Sequence, residues 1–198
     1  PVTDAWTSGA PGNTGDALAA ATAIGAGTAL LDEAWFAPGI VTPDSRPVFY
    51  TMVWSGIWVN SAGQRFMNER LPYDRAGHEL MHQQVIPAWW VFDQTLVDAD
   101  GFRELPVEPK VPGWFDVDRW LAGGALRRAD SLGELAAQIG VPADALSATV
   151  DEWNGFARNG VDEAFHRGEA PWDRVVRGLW GDHTDGPNPC LGVLAKPP

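Results

Sequence analysis

Residues 60–80 read NSAGQRFMNERLPYDRAGHEL, and the fold of this chain turns on how that run divides. Upstream of it, Met52-Val53-Trp54-Ser55-Gly56-Ile57-Trp58-Val59 is dense in β-branched and aromatic side chains, the composition of a strand. The interval Ser61-Ala62-Gly63-Gln64 offers a glycine for a positive-φ position, and Arg65-Phe66-Met67-Asn68 resumes an alternating pattern. The two runs are therefore predicted to pair as a hairpin. Pro72 disfavours helix at Leu71, and Asp74 is placed to cap a helix from about Arg75 to Val85. Tyr73 then falls at a strand-to-helix corner, where rigid scaffolds commonly present reactive side chains.

Working outward, the first dozen residues are turn-forming. Asn13-Thr14-Gly15-Asp16 then opens the run ALAAATAIGAGTALLDEAWF, read as a helix whose small residues allow close approach to another backbone. The open N–H groups of such a helix start suit a phosphate or another anionic acceptor, although an ordinary N-cap is the commoner reason for such a turn. Residues 37–47 are punctuated by proline and read as a connection. Pro87-Ala88-Trp89-Trp90-Val91-Phe92-Asp93 reads as another, mostly buried strand, whereas Thr95 to Gly113 is short on periodicity. Asp116 caps a short helix through Leu121 that Gly123-Gly124 ends. Ser131 and Glu134 form a capping box ahead of a brief helix stopped at Gly140. Pro142 starts a longer helix with Leu146, Val150, Trp153 and Ala157 as its apolar stripe, closed by Gly160. From Gly181 onward, prolines and a shortage of core candidates predict an extended connector. The expected fold class is α+β: a small, mainly antiparallel sheet with a hairpin, packed with several helices.

At 198 residues the chain is long enough for one substantial core. A formal net charge of −12 argues against electrostatic binding to nucleic acid or anionic membrane, which relies on Lys and Arg neutralising phosphates. Cys190 has no second cysteine to pair with, and no apolar run approaches the roughly 20 residues of a membrane span, so a reducing, cytoplasmic setting is expected. The chain begins PVTDAW without an initiator Met and stops at AKPP, as an excised piece of a longer protein would. Eleven Trp against two Tyr predict a Trp-heavy core or a wide apolar binding wall, with core packing accounting for most of them.

Two constellations carry possible chemistry. His78-Glu79-Leu80-Met81-His82 matches the H-E-x-x-H pattern, which sets two imidazoles one helical turn apart beside a carboxylate, as in zinc hydrolases. A third protein ligand is missing at the spacing of the longer motif, and His166 and His183 are remote in sequence, so the preferred reading is a polar helix face with no metal. Tyr73 is the other. A phenol is a poor base at neutral pH unless its neighbours help or a carbonyl has acidified the substrate proton it takes.

The ordered set GNTGDALAAATAIGAG, VNSAGQRFMNE, LPYDRAG, PAWWVFDQ, SLGELAAQIG, TVDEWN and GDHTDGPNPCLGVLAKPP resembles the fumarate-reductase-like flavoproteins over essentially the whole chain, and most of all the 3-ketosteroid Δ1-dehydrogenases. The resemblance implies FAD as cofactor and a 3-ketosteroid as substrate. Residues 48–182 would be a substrate-binding cap domain, 1–47 a flank and helix leading out of the FAD-binding domain, and 183–198 a connector back to it. It turns Asn13, Thr14, Gly15 and Asp16 toward the FAD. The FAD-binding domain of the same polypeptide becomes the partner, and the fragment alone would be inactive. Where fumarate reductases carry an Arg as proton donor, this chain has Tyr73 in a PYDR context, and the resemblance gives Tyr73 the role of base. Exchanging Arg for Tyr removes a carboxylate-pairing charge. The family usually continues PYDR with Leu-Gly-Arg; here Ala76-Gly77-His78 follows. Trp54, Trp58, Trp89 and Trp90 are the expected apolar wall of the substrate pocket.

Overall fold

The computed structural model of the chain describes residues 6–7, 9–45, 47–49, 56–83, 87–100, 116–180 and 186–198. Pro1–Phe36 and Ala37–Pro198 are two separate units. In the first, α1 (Asp16–Ala23) ends much earlier than its small-residue run suggests. Gly25, at φ 90°, lets Ala26 N–H fold back to the Ala21 carbonyl at 3.0 Å, which closes the helix. None of the α1 residues is buried.

In the second unit, β1 (Gly39–Val41) and β2 (Pro47–Phe49) form an antiparallel hairpin whose first strand lies inside residues 37–47, expected to be a connection, and whose second begins at its end. The central pair is different from the predicted one. β3 (Ile57–Val59) runs antiparallel to β4 (Trp89–Val91), with Trp58 opposite Trp90. Arg65–Asn68 contributes only an isolated bridge, Val59 to Arg65. The expected hairpin survives as a closed loop in which Asn60 N–H reaches the Gln64 carbonyl at 2.9 Å and Gly63 takes φ 74°, as its position required. After that bridge the chain turns away toward α2, so β4 supplies the ladder. The upstream part of the predicted strand, 51–55, including Trp54, lies outside the described residues.

α2 (Tyr73–His82) starts two residues before the expected Arg75 because Pro72, not Asp74, occupies its N-cap; Asp74 sits in the first turn, where a carboxylate favours the helix dipole. α3 (Gln94–Asp100) was not foreseen, although Asp93 Oδ1 accepts from Thr95 N–H at 2.9 Å in the manner of a capping side chain. α4 (Val117–Ala122), α5 (Leu132–Ile139) and α6 (Ala143–Asn159) follow their local signals. Asp116 caps Arg119 N–H at 3.0 Å, Ser131 caps Glu134 N–H at 3.2 Å, and Gly140 and Gly160 end their helices at φ 72° and 79°. The predicted stripe of α6 is wholly buried, from Leu146 and Trp153 at 0% exposure to Val150 at 3%. α7 (Pro171–Trp180) completes the unit.

Period-2 alternation along β3 and β4 splits the apolar packing into two clusters. Ile57, Val59 and Val91 point into the first, with Leu146, Val150 and Trp153 of α6; Trp89 packs against it. Trp58 points into the second, with Met67, Ala76 and Trp120, and Trp90 packs there. The final residues are a correction to the reading of few core candidates. Cys190, Leu191 and Leu194 are buried, and Asn154 clamps Leu194 through Oδ1 at 2.7 Å and Nδ2 at 2.9 Å. Asp93 Oδ2 accepts from Ala195 and Lys196 N–H at 2.8 and 3.0 Å, and these backbone bonds fix a segment that has no regular structure.

The β3–β4 pair leaves no room beside Gly56. Its φ is 89°, and a Cβ there would lie 2.2 Å from the Val91 carbonyl oxygen. Gly56→Ala is expected to destabilise the unit by about 2–5 kcal/mol, through strain and displacement of β4, seen as a lowered urea midpoint in tryptophan fluorescence.

Candidate functional site

The corner ahead of α2 rests on buried charge. Arg65 meets two carboxylates at once. Its Nε and Nη2 donate to Glu69 Oε1 and Oε2 at 2.9 Å each, while Nη1 and Nη2 donate to Asp162 Oδ1 and Oδ2 at 3.1 and 2.9 Å. Arg167 Nη1 adds a bond to Glu69 Oε2 at 3.1 Å and another to the Gly56 carbonyl at 2.8 Å. Glu69 Oε1 also accepts Trp58 N–H at 3.1 Å, so one carboxylate joins the corner to β3. Both guanidinium groups lie over Trp153, at 4.5 Å for Arg65 and 4.9 Å for Arg167.

Burial alone would push the Glu69 carboxyl up, but the cations of Arg65 and Arg167 outweigh it and hold the group below the usual glutamate range. For Asp162 the burial effect is likewise overcome by the Arg65 contacts, and its pKa is lowered. Arg65, buried but between two carboxylates, is raised. Arg167 is lowered by burial, with Arg70 and Arg65 adding repulsion that Glu69 does not cancel.

The turn itself belongs to Asn68. Its carbonyl accepts Leu71 N–H at 3.1 Å, its Oδ1 accepts Arg70 N–H at 2.8 Å, and its Nδ2 donates to buried Asp173 Oδ2 at 3.2 Å. Pro72 follows at φ −49° and ψ 138°, and Tyr73 is the first residue of α2. Helical spacing puts Tyr73, Ala76, Gly77 and Leu80 on one face. Ala76 and Gly77 are buried, and Ala76 and Leu80 belong to the cluster of Trp58 and Trp120. Tyr73 is half-buried, at the edge of that face.

Of the aromatic residues predicted to line a pocket, Trp58 and Trp90 therefore share the cluster that α2 packs on. Trp89 lies on the opposite face of the β3–β4 pair, and Trp54 lies outside the described residues. Asn13, Thr14, Gly15 and Asp16 are exposed around the start of α1; Gly15 is at φ 83°, no side chain caps the helix, and the space over Gly15 is open. That uncapped and uncovered helix start fits the approach of a cofactor. On α2, His78 Nδ1 is 2.8 Å from the Asp74 carbonyl and the His82 side chain is exposed. Among the described residues no group of three His, Cys, Asp or Glu side chains is placed to hold a metal ion, and His183 lies outside them. Among the described residues no helix is long and apolar enough to cross a membrane.

The ionic cluster escaped the sequence reading. Arg65 and Glu69 are four residues apart in the quoted motif, but Asp162 and Arg167 lie almost 100 positions away with no pattern marking them as partners.

Residues 1–192 match the family model described as FAD binding domain. The chain belongs to the FAD binding domain family. Within this family it is 42% identical over its whole length to a 3-oxosteroid 1-dehydrogenase of Mycobacterium tuberculosis, of which it spans 36%. A 4-oxocyclohexanecarboxylate 2-dehydrogenase of Sinomonas cyclohexanicum is 37% identical over 95% of the chain, which covers 33% of that enzyme. Among solved structures, the 3-ketosteroid Δ1-dehydrogenase of Sterolibacterium denitrificans in complex with 1,4-androstadiene-3,17-dione superposes with a TM-score of 0.76 at 37% identity, covering all of this chain and 36% of that one. The chain thus spans about a third of the length of these family members.

The depressed carboxyls give the cluster a pH signature. Glu69 and Asp162 bind protons more weakly folded than unfolded, so their contribution is complete above the unfolded-state values, about 4, and is lost as pH falls through the lower folded ones. Thermal midpoints measured from pH 7 down to about 3 should fall steeply below about 4. Glu69→Gln should flatten that fall and, by leaving buried arginine charge unbalanced, cost about 3–5 kcal/mol at neutral pH.

Proposed function

We propose that this chain is the substrate-binding part of an FAD-dependent dehydrogenase that introduces a C1–C2 double bond into ring A of 3-ketosteroids, with Tyr73 as the proton acceptor. The observation that carries the reading is the position of Tyr73. It heads α2 and is half-buried, and the buried face of that helix packs on Trp58 and Trp120. A partly open position bordered by aromatic packing suits a flat, neutral polycyclic ketone. The names of the relatives support the same chemistry: a dehydrogenase of 3-oxosteroids and one of a cyclic 4-oxo acid.

Carbonyl polarisation makes the C2 proton acidic, and the Tyr73 oxygen takes it. FAD, when bound, supplies the oxidant that accepts the C1 hydrogen as hydride. Trp58 and Trp90 contribute to the wall that holds the ring plane, with Trp54 and Trp89 the further candidates, and so fix C2 against Tyr73. Asn13, Thr14, Gly15 and Asp16 at the start of α1 would lie toward FAD, whose remaining contacts come from the FAD-binding domain of the same polypeptide. Residues 1–47, 48–182 and 183–198 keep the roles of outgoing flank, cap domain and return connector. The isolated chain would be inactive, and the whole protein would work in the cytoplasm. The oxocyclohexane relative favours one second reading, desaturation of a smaller cyclic ketone beside its carbonyl, which a substrate panel separates from the first.

Tyr73→Phe in the intact flavoprotein tests the assignment. Steroid binding, followed by the flavin absorption change, should stay within about twofold, while the rate of flavin reduction drops by about 10²-fold or more. Undiminished reduction would remove Tyr73 from the reaction.

A further inference from the structure

We propose that Asn68 and Asp173 form a positioning pair that aims Tyr73, an inference that rests on the reading of Tyr73 as base. Four residues separate the Asn68 turn from the start of α2, and little in them can flex. The Leu71 N–H bond to the Asn68 carbonyl and the Arg70 N–H bond to Asn68 Oδ1 close the turn from both the backbone and the side chain. Pro72 then fixes its own φ, and Ala76 N–H is bonded to the Pro72 carbonyl at 2.9 Å. The direction in which α2 enters, and with it the Tyr73 side chain, is set by the orientation of Asn68.

That orientation is anchored at the other end of the amide. Asp173 is 2% exposed, and its Oδ2 accepts both Asn68 Nδ2 at 3.2 Å and Gly168 N–H at 2.7 Å. Its backbone is held as well: buried Cys190 Sγ lies 3.6 Å from the Asp173 carbonyl. The neighbouring Arg174 Nε donates to the Gly168 carbonyl at 3.0 Å. The first turn of α7 is thus a fixed post, and Asn68 is the strut from it to the corner. Glu69, next in sequence, is tied down separately by Arg65 and Arg167. Loss of the Asn68 strut therefore tilts the turn without dismantling the ionic cluster.

The test uses the intact flavoprotein with FAD bound. Asn68→Asp keeps the acceptor for Arg70 N–H but sets two carboxylates against each other across the gap that one amide now bridges. Reductive half-reaction kinetics should show kcat down by about 10-fold to 10²-fold with KM unchanged within about twofold, as for a misaimed base beside an intact binding wall. The isotope effect from deuterium at C2 should grow, because proton transfer becomes the slow step. In an Asp173→Ala background the opposing carboxylate is gone, so adding Asn68→Asp there should cost less than about twofold in further rate and leave the isotope effect of that background unchanged. A parent rate in Asn68→Asp, or a loss that appears in KM, or one just as large when added to Asp173→Ala, overturns the pair. Tyr73→Phe in parallel separates the two ideas. If it stops flavin reduction while Asn68→Asp runs at the parent rate, only the positioning role is lost; if it does not, both fall.

Discussion

The fork of Arg65 between Glu69 and Asp162 is the constraint on which the second unit depends. A guanidinium stripped of water is costly, and so are the two carboxylates; the three become tolerable together because every fork nitrogen finds an oxygen at 2.9–3.1 Å. Such a cluster adds less to net stability than to uniqueness. An apolar replacement of equal volume could pack as well, but only the charged set demands that the 65–70 corner, β3 and the 162–167 turn meet in one register. Asp162 does double duty there, since its Oδ1 accepts Ala164 and Phe165 N–H at 3.2 Å each and shapes its own turn while receiving Arg65.

Trp153 connects this electrostatic knot to the apolar core. Its ring faces both arginines, its Nε1 donates to the Gly192 carbonyl at 2.7 Å, and its body lies at 0% exposure among Leu146, Val150 and Ala157. One residue of α6 thereby fastens the ionic cluster, the first apolar cluster and the tail. The tail is ordered for a related reason. Its order comes from backbone groups that Asn154 and Asp93 satisfy, and a polar side chain bonding distant backbone leaves no periodic trace in the receiving segment.

What was legible in the sequence was local. Asp116, Ser131, Gly140, Pro142 and Gly160 each act within four residues of themselves, and the apolar stripe of α6 is a period that any window reveals. What was not legible was long-range. Nothing within residues 57–68 says that β3 prefers Trp89–Val91 over the nearer Arg65–Asn68; that choice follows from Glu69 turning inward to Arg65 and Arg167, which sends the chain away from a second strand. α7 is local in the same way as those caps, with Pro171 at the first helical position and Asp173 in its first turn. Around the candidate site, the motif marked the helix that Tyr73 heads. The partition of the tryptophans required the pairing: Trp58 and Trp90 fall on one face of the sheet and Trp89 on the other only once the β3–β4 register is known.

The same partition explains how a corner dense in charge can border an apolar surface. From Asn68 to Arg70 each side chain is committed to the interior: Asn68 to Asp173, Glu69 to its arginines, Arg70 at 1% exposure. Pro72 then ends the polar run, and α2 presents Ala76, Gly77 and Leu80 to the Trp58 cluster while Asp74, Glu79 and His82 stay off that face. Tyr73 itself opens α2 directly after Pro72 and is half-buried. A tyrosine at such a helix start can lay its ring along apolar neighbours and keep its one oxygen at the partly open end, which a fully buried position on the same helix face, such as that of Ala76, would not allow.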